Sequence, residues 1–296
     1  MRKTAVVTAG TAGIGLETAV GLATAGYAVT VVGRNPDRGA RAVERINAAN
    51  PARPGRFLAA DLGSLDEVRV LADRIASDHA ASGDPLTVLV NNVGAMFPRR
   101  MALDGIEASF VVNHLSPYLL TELLLPTLTA GAPSRIVNVT SGAVGLAKRT
   151  FDAVEPPGGY YGFHWYGRAK LANLAYTLDL AARLDGTGVS VFAADPGGAA
   201  TDMTKGTMTD PGIVSPGLRL LWPLVRRKFE RSTSGPASTA AESSITAATD
   251  ETLTGRTGVV IGADARPAAP FRAATDPRVV EAVRRLSEWH APLPAA

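Results

Sequence analysis

Short apolar runs of strand length alternate along the chain with longer stretches in which apolar residues return every three or four positions. The runs predict strands at Lys3 to Ala9, Ala28 to Gly33, Arg56 to Asp61, Leu86 to Asn91, Arg135 to Thr140, Val189 to Ala194 and Gly258 to Gly262. Each is rich in Val, Ile, Leu or Ala with little polar alternation, as strands buried on both faces are. With helical periods between them the pattern is βαβ, which predicts an α/β fold with a doubly wound parallel sheet covered by helices on both sides. Local punctuation agrees. Asn35-Pro36 reads as a helix cap followed by proline at the first helical position, and Ser64 with Glu67 matches a capping box.

The rhythm breaks between Thr201 and Ser234, a stretch with several Gly, Pro and Thr residues that reads as an insertion into one domain spanning residues 1–296. Within it Leu218, Leu221, Trp222, Val225 and Phe229 recur at helical spacing, with Arg219, Arg226, Arg227, Lys228 and Arg231 as a basic complement. A lid over an apolar substrate is the leading reading. An ordinary packed helix with a solvated basic side and a weak membrane-surface helix are the alternatives, and Pro223 argues against one long interfacial helix.

Composition narrows the classes. A chain of 296 residues with 46% hydrophobic content can bury a large core. Length alone suggests about two domains at roughly 150 residues each, but doubly wound folds often use this length for one unit. The net charge is +3 and the basic residues are scattered, so no nucleic-acid partner is expected. With no cysteine there is no disulfide framework, thiolate zinc site or cysteine nucleophile, and no metal site is expected. The first strand starts within a few residues of Met1, leaving no room for a signal peptide, and no run of about 18 apolar residues is present. A soluble cytoplasmic protein without a stable membrane anchor is the expectation. Self-association is left open.

The chemistry concentrates at Tyr166-Gly-Arg-Ala-Lys170, 25 residues after Ser141. A phenol and an ammonium at i and i+4 project from one helical face. Beside a bound nicotinamide the lysine charge would lower the phenol pKa from about 10 and let it exchange a proton with a substrate oxygen, so the chain reads as an oxidoreductase. At the other end, Thr8-Ala9-Gly10-Thr11-Ala12-Gly13-Ile14-Gly15 joins the first strand to a helix, where a dinucleotide pyrophosphate can rest on backbone N–H groups. NAD sites commonly carry an acid about 20 residues further on. Here the second strand ends in Val32-Gly33-Arg34-Asn35 without one. Arg34 can face a 2′-phosphate instead, with Asn35 beside it as a further cofactor-binding candidate, which favours NADP(H), although a plain surface arginine is the alternative.

These residues resemble the short-chain dehydrogenase/reductase family over nearly the whole chain, and in particular its retinol dehydrogenase and protochlorophyllide reductase-like branch. The ordered motifs are the glycine turn, Asp61-Leu62, Asn91-Asn92-Val93-Gly94, Asn113, Ser141, Tyr166 with Lys170, and Pro196-Gly197 before Thr201. Asn113-His114-Leu115, Lys170-Leu171-Ala172-Asn173 and the long interval from Ser141 to Tyr166 carry the likeness to the branch. The resemblance implies a Rossmann fold and hydride transfer to or from an apolar ketone, aldehyde or alcohol. It implies that Asp61 and Leu62 lie against adenine, that Asn91 steadies the central strand with Val93 and Gly94 beside the cofactor, and that Thr201 contacts nicotinamide or pyrophosphate. Ser141 would orient the carbonyl, Tyr166 act as acid/base, Lys170 bind the nicotinamide ribose and Asn113 hold a water in a proton relay.

Two departures stand out. Ala9 replaces the family's first turn glycine, and Ala12 replaces the basic residue that often precedes the second glycine in NADP-specific members. Phe151, Tyr160, Tyr161, Phe163, His164 and Trp165 can wall a substrate mouth, with two or three of them expected there and core packing taking the rest. A silent NADP-binding regulator, and a dehydratase, epimerase or ene-reductase using the same acid/base set, are the competing classes. A serine hydrolase is disfavoured because Val139-Thr140-Ser141-Gly142-Ala143 is not a G-x-S-x-G elbow.

Overall fold

A computed structural model describes residues 3–155, 158–199 and 210–294. The strands are β1 Thr4–Val7, β2 Ala28–Gly33, β3 Arg56–Ala59, β4 Leu86–Asn91, β5 Ala102–Leu103, β6 Ile106–Glu107, β7 Ser134–Val139, β8 Val189–Ala194, β9 Val259–Ile261 and β10 Pro267–Ala268. All seven predicted strands are present, with ends shifted by no more than one or two residues. Short β5 and β6 pair as a separate hairpin, and β10 adds an antiparallel edge. The main sheet runs β10-β9-β8-β7-β4-β1-β2-β3 and is otherwise parallel. Chain order reverses between β1 and β4, which opens a crevice at their carboxyl ends.

The helices are α1 Gly13–Thr24, α2 Pro36–Ala49, α3 Leu65–Ser82, α4 Ala108–Phe110, α5 Ser116–Ala130, α6 Gly162–Arg183, α7 Pro216–Arg219, α8 Trp222–Ser232, α9 Ala237–Thr249 and α10 Pro277–His290. Strand side chains alternate between two apolar layers. Val6, Leu89, Ile136 and Val191 face Val68, Leu119, Leu124 and Leu171 of α3, α5 and α6. Val7, Val90, Val137 and Phe192 face Ala19, Leu22, Ile46 and Ala247 of α1, α2 and α9. Period-two strands with both phases apolar are the physical signature of a sheet covered on two sides.

Asn35 caps α2 as predicted, accepting from Arg38 N at 2.9 Å. The capping box at α3 is only half formed. Ser64 Oγ accepts from Glu67 N at 3.3 Å, but the Glu67 carboxylate takes Asp61 N at 2.7 Å and leaves Ser64 N to the Asp61 carbonyl.

In the insertion, Thr201 to Thr209 lie outside the described residues. Of the apolar residues at helical spacing, the side chains of Val225 and Phe229 lie outside the described residues. Pro223 occupies the first turn of α8, where proline is tolerated, and separates it from the one-turn α7. Leu218 and Trp222 pack inward, whereas Leu221 is 53% exposed. No described helix is long and apolar enough to cross a membrane.

Candidate active site

The turn after β1 is clamped from β4. Thr8 Oγ1, buried, accepts from Asn92 N at 3.0 Å and Val93 N at 3.3 Å, and Asn92 Nδ2 donates to the carbonyls of Thr8 and Ala9 at 3.2 and 3.3 Å. Space forces the glycines. A Cβ on Gly10 would stand 2.8 Å from both Val31 Cγ1 and the Val7 carbonyl, and one on Gly15 would collide with the Ala9 carbonyl and the Asn92 amide. Helix α1 then opens with no side-chain cap at Ala12 and no acid in its first turn. Its positive dipole end is therefore unneutralised by side chains and suits an anion such as a pyrophosphate. Thr11, Gly13 and Ile14 lie on this same rim.

At the tip of β2 the missing acid is supplied from the next strand. Arg34 Nη1 lies 4.0 Å from Asp61 Oδ2, with the side chains 77% and 46% exposed. Asp61 Oδ1 also accepts from Gly63 N at 2.9 Å, and Leu62 is buried beneath. Asn35 Oδ1 caps α2.

Between the ends of β4 and β7 lies a buried polar chain. Asn91 Nδ2 donates to Thr121 Oγ1 and Asn138 Oδ1, both at 2.8 Å, and Asn138 Nδ2 donates to Thr177 Oγ1 at 2.9 Å. Asn91 thereby ties β4 to β7 and to α5. Above it, the Lys170 ammonium donates to Val93 O at 3.0 Å and Val139 O at 2.9 Å. A Cβ on Gly94 would come within 3.7 Å of both Lys170 Nζ and Asn113 Oδ1, so these two side chains converge there.

Asn113 sits in a π-helical turn, Val111–Leu115, that joins α4 to α5. Its Oδ1 accepts from Ala95 N at 3.0 Å, and its Nδ2 donates to Ala95 O and Ser109 O at 2.8 Å. The side chain thus holds the loop after β4.

The Ser141 hydroxyl faces Tyr166 closely enough to oppose the effect of burial on the phenol. Ser141 Oγ is fixed in turn by Ala143 N at 3.2 Å. Burial pushes the Tyr166 phenol up to about 12, opposed by Ser141 and reinforced by Asp195, and burial pushes Lys170 down to about 7. Desolvation is the largest cause for both groups in this enclosed site. Asp195, which sequence reasoning missed, directly follows β8 next to Pro196, and its Oδ1 accepts from Gly197 N at 3.0 Å. Its only sequence signal is its place just before Pro196-Gly197.

Of the six aromatic candidates, Phe163 alone shares the apolar cluster beside Tyr166, with Met96, Ala143, Ile213 and Val214. Phe151 and Trp165 instead surround Arg168, whose guanidinium lies 4.6 and 6.0 Å from their rings. Arg168 is 1% exposed and donates to the carbonyls of Thr150, Ala153 and Val154 at 2.9, 2.7 and 2.8 Å. Tyr160 donates to Phe97 O at 3.0 Å, Tyr161 lies under Arg219, and His164 joins Leu146 O to Ser215 N. The site thus brings together Tyr166, Ser141, Lys170 and Asn113, while Thr201 lies outside the described residues. Among the described residues no acid or histidine cluster could hold a metal.

A nucleotide crevice at the switch between β1 and β4, with a Tyr-x-x-x-Lys helix beside it, defines a dinucleotide-dependent oxidoreductase architecture. The family model described as short chain dehydrogenase matches residues 3–212. Retinol dehydrogenase 12 of Mus musculus is 36% identical over 239 residues, covering 80% of this chain and 72% of that protein. Dehydrogenase/reductase SDR family member 13 of Bos taurus is 36% identical over 76% of this chain and 58% of its own length. Among solved structures, a Pseudomonas aeruginosa RhlG/NADP active-site complex has a TM-score of 0.66 at 27% identity, covering 89% of this chain and 95% of that one. The chain belongs to the short chain dehydrogenase family, an oxidoreductase family, and to its retinol dehydrogenase-like branch.

Proposed function

We propose that this protein interconverts an apolar ketone or aldehyde and the corresponding alcohol with NADP(H). The observation that carries the reading is buried Tyr166 one helical turn from buried Lys170, whose ammonium bonds Val93 O and Val139 O at the carboxyl ends of the central strands, with Ser141 just beyond β7. The uncapped start of α1 and the tightly packed Gly10 and Gly15 suit a dinucleotide. Gly10, Thr11, Gly13, Ile14 and Gly15 would hold its pyrophosphate, Asp61 and Leu62 its adenine, and Arg34 its 2′-phosphate. Asn91, Val93, Gly94, Lys170, Pro196, Gly197 and Thr201 would hold the nicotinamide half. When bound, the cofactor supplies or accepts the hydride.

The protein's own part is proton transfer and positioning. Tyr166, pushed up to about 12, keeps its proton at neutral pH and donates it to the oxygen that gains charge. Ser141 gives the same oxygen a second hydrogen bond. Met96, Phe163, Ile213 and Val214 surround Tyr166 with apolar surface, which supports a substrate of that character and a lid formed by the 201–234 insertion. The complete Asn113, Ser141, Tyr166 and Lys170 set argues against a silent NADP-binding regulator. Product analysis separates carbonyl reduction from dehydration, epimerisation or C=C reduction.

The test is Tyr166→Phe. The ring and its packing remain, so NADPH affinity should stay near wild type while turnover falls to background. Turnover near the wild-type rate would remove Tyr166 as the proton donor, and the reading with it.

A further inference from the structure

Met96, one of the apolar residues around Tyr166, is buried between two anchored neighbours. On one side Asn113 holds both the N–H and the carbonyl of Ala95, at 3.0 and 2.8 Å, and donates to Ser109 O at 2.8 Å. On the other side the Phe97 carbonyl accepts from the Tyr160 hydroxyl at 3.0 Å. That hydroxyl also reaches the segment to which Asn113 is tied, lying 3.3 Å from Glu107 Oε1 and 3.4 Å from Ser109 Oγ. Asn113 and Tyr160 therefore close a ring of hydrogen bonds that ties residues 95–97 to residues 107–109 at both ends, with Met96 in the middle.

The far side of the ring is fixed. Glu107 is 1% exposed, and its carboxylate caps α4 by accepting from Ser109 N at 2.7 Å and Phe110 N at 2.9 Å. A buried carboxylate needs every donor it can reach, so the Tyr160 hydroxyl is costly to displace from it. The Tyr160 ring is held separately, 5.1 Å from the Trp165 ring. Burial keeps its phenol above the usual 10, so the hydroxyl has a proton to donate throughout the neutral range. Two residues further on, Gly162 lets the start of α6 come close to the same carbonyl, since a Cβ there would collide with Phe97 O. Phe97 is thus gripped by the chain that leads straight into Tyr166, and the grip fixes the spacing between Met96 and the phenol.

We propose that Tyr160 is a positioning residue for substrate binding: through Phe97 it holds Met96 beside Tyr166 and so sets the width of the apolar site. The assignment rests on the proposed carbonyl–alcohol activity and adds a determinant of substrate fit outside the Asn113, Ser141, Tyr166 and Lys170 set. A plain packing role would show as lost stability, with no effect confined to KM and no coupling to Met96.

The experiment is a double-mutant cycle on Tyr160→Phe and Met96→Ala in the full chain, read with a carbonyl substrate that the wild type reduces and with NADPH binding. Tyr160→Phe keeps the ring on Trp165 and removes one hydrogen-bonding hydroxyl, so KM should rise about fivefold with kcat and the NADPH dissociation constant near wild type. Met96→Ala should raise KM as well. Adding Tyr160→Phe to it should raise KM little further, because the wall that Tyr160 places is then gone. An unchanged KM in Tyr160→Phe, a loss of NADPH affinity matching the rise in KM, or full additivity of the two substitutions would overturn the proposal. In the cofactor-free protein, Tyr160→Phe should also speed hydrogen exchange at the amides of residues 95–97 more than along α6, and equal protection there in wild type and variant would overturn it too. Exchange is read without substrate, so a failure of the Tyr160 grip is told apart from a failure of the carbonyl reading in the Tyr166→Phe test.

Discussion

Ala9 holds a backbone angle, φ +49°, that glycine adopts freely and a Cβ-bearing residue resists by about 1 to 2 kcal/mol. Its carbonyl is held there by Asn92 Nδ2 at 3.3 Å, so the turn keeps the shape a glycine would give it and bears strain. Ala9→Gly should relieve that strain, while the greater freedom of the unfolded chain takes back about 0.4 to 1 kcal/mol. A net gain of about 0.5 kcal/mol is expected, read as a higher urea midpoint; an unchanged or lower midpoint would show the turn to be relaxed. Arg34 carries the second residue-scale prediction. A charge-assisted hydrogen bond contributes about 1.5 to 3 kcal/mol, but Asp61 stands 4.0 Å away and both side chains are largely solvated, so the low end applies. NADPH should bind roughly tenfold better than NADH. Arg34→Ala should erase that margin and Asp61→Asn should widen it, with dissociation constants for both cofactors as the measurement. If Arg34→Ala weakens both cofactors equally, the 2′-phosphate role is wrong. Arg34 was legible as the cation at the tip of β2. The carboxylate beside it was not, because that neighbour follows from the pairing of β2 with β3 rather than from local spacing.

Helix α6 shows what an element conceals. Tyr166 and Lys170 could be read from their one-turn spacing, yet nothing in that spacing marks Arg168 between them, because arginine is rarely buried. In the fold it faces the other way, fastening the 150–154 segment to the helix through three backbone carbonyls and stacking 5.1 Å from Phe110. Arg168→Met removes the donors of three carbonyls, each worth about 1 to 3 kcal/mol when left unsatisfied. Destabilisation of about 3 kcal/mol or more is expected, together with faster hydrogen exchange in α6 and the segment it holds. A loss below about 1 kcal/mol would mean that water replaces the guanidinium. The same limit explains the aromatic residues from Phe151 into the first turn of α6. Their composition announced burial, but only tertiary packing sends Phe163 to the site and Phe151 with Trp165 to the arginine. The strands were legible for the opposite reason: apolar in both phases and bounded by turns, they have one way to be buried.

Across the whole molecule, two buried bases far apart in sequence each make stability depend on pH with a definite sign. His114 packs between Phe110, Tyr118 and Tyr176, and its Nε2 meets Ser287 Oγ at 2.7 Å, joining the start of α5 to α10. Burial, with Arg168 nearby, lowers it from 6.5 to about 3, and burial lowers Lys170 from 10.5 to about 7. In both cases the folded pKa lies below the unfolded one, so the unfolded chain binds more protons in between and stability rises with pH across each window. His114 contributes from about 3 to 6.5 and Lys170 from about 7 to 10.5. Tyr166 has the opposite sign, raised from 10.0 to about 12, so its contribution is complete below pH 10 and is lost as pH climbs toward 12. Stability of the cofactor-free protein, taken from urea unfolding, should therefore keep rising from about pH 7 to about pH 9, where carboxylates no longer titrate. Lys170→Met should flatten that limb and leave the acid limb in place. His114→Gln should flatten the acid limb alone, whatever its cost in absolute stability. If Lys170→Met left the neutral-to-alkaline slope unchanged, the ammonium would be charged throughout that range and well hydrated, and the enclosed site described between β4 and β7 would have to be more open than its hydrogen bonds to Val93 and Val139 imply.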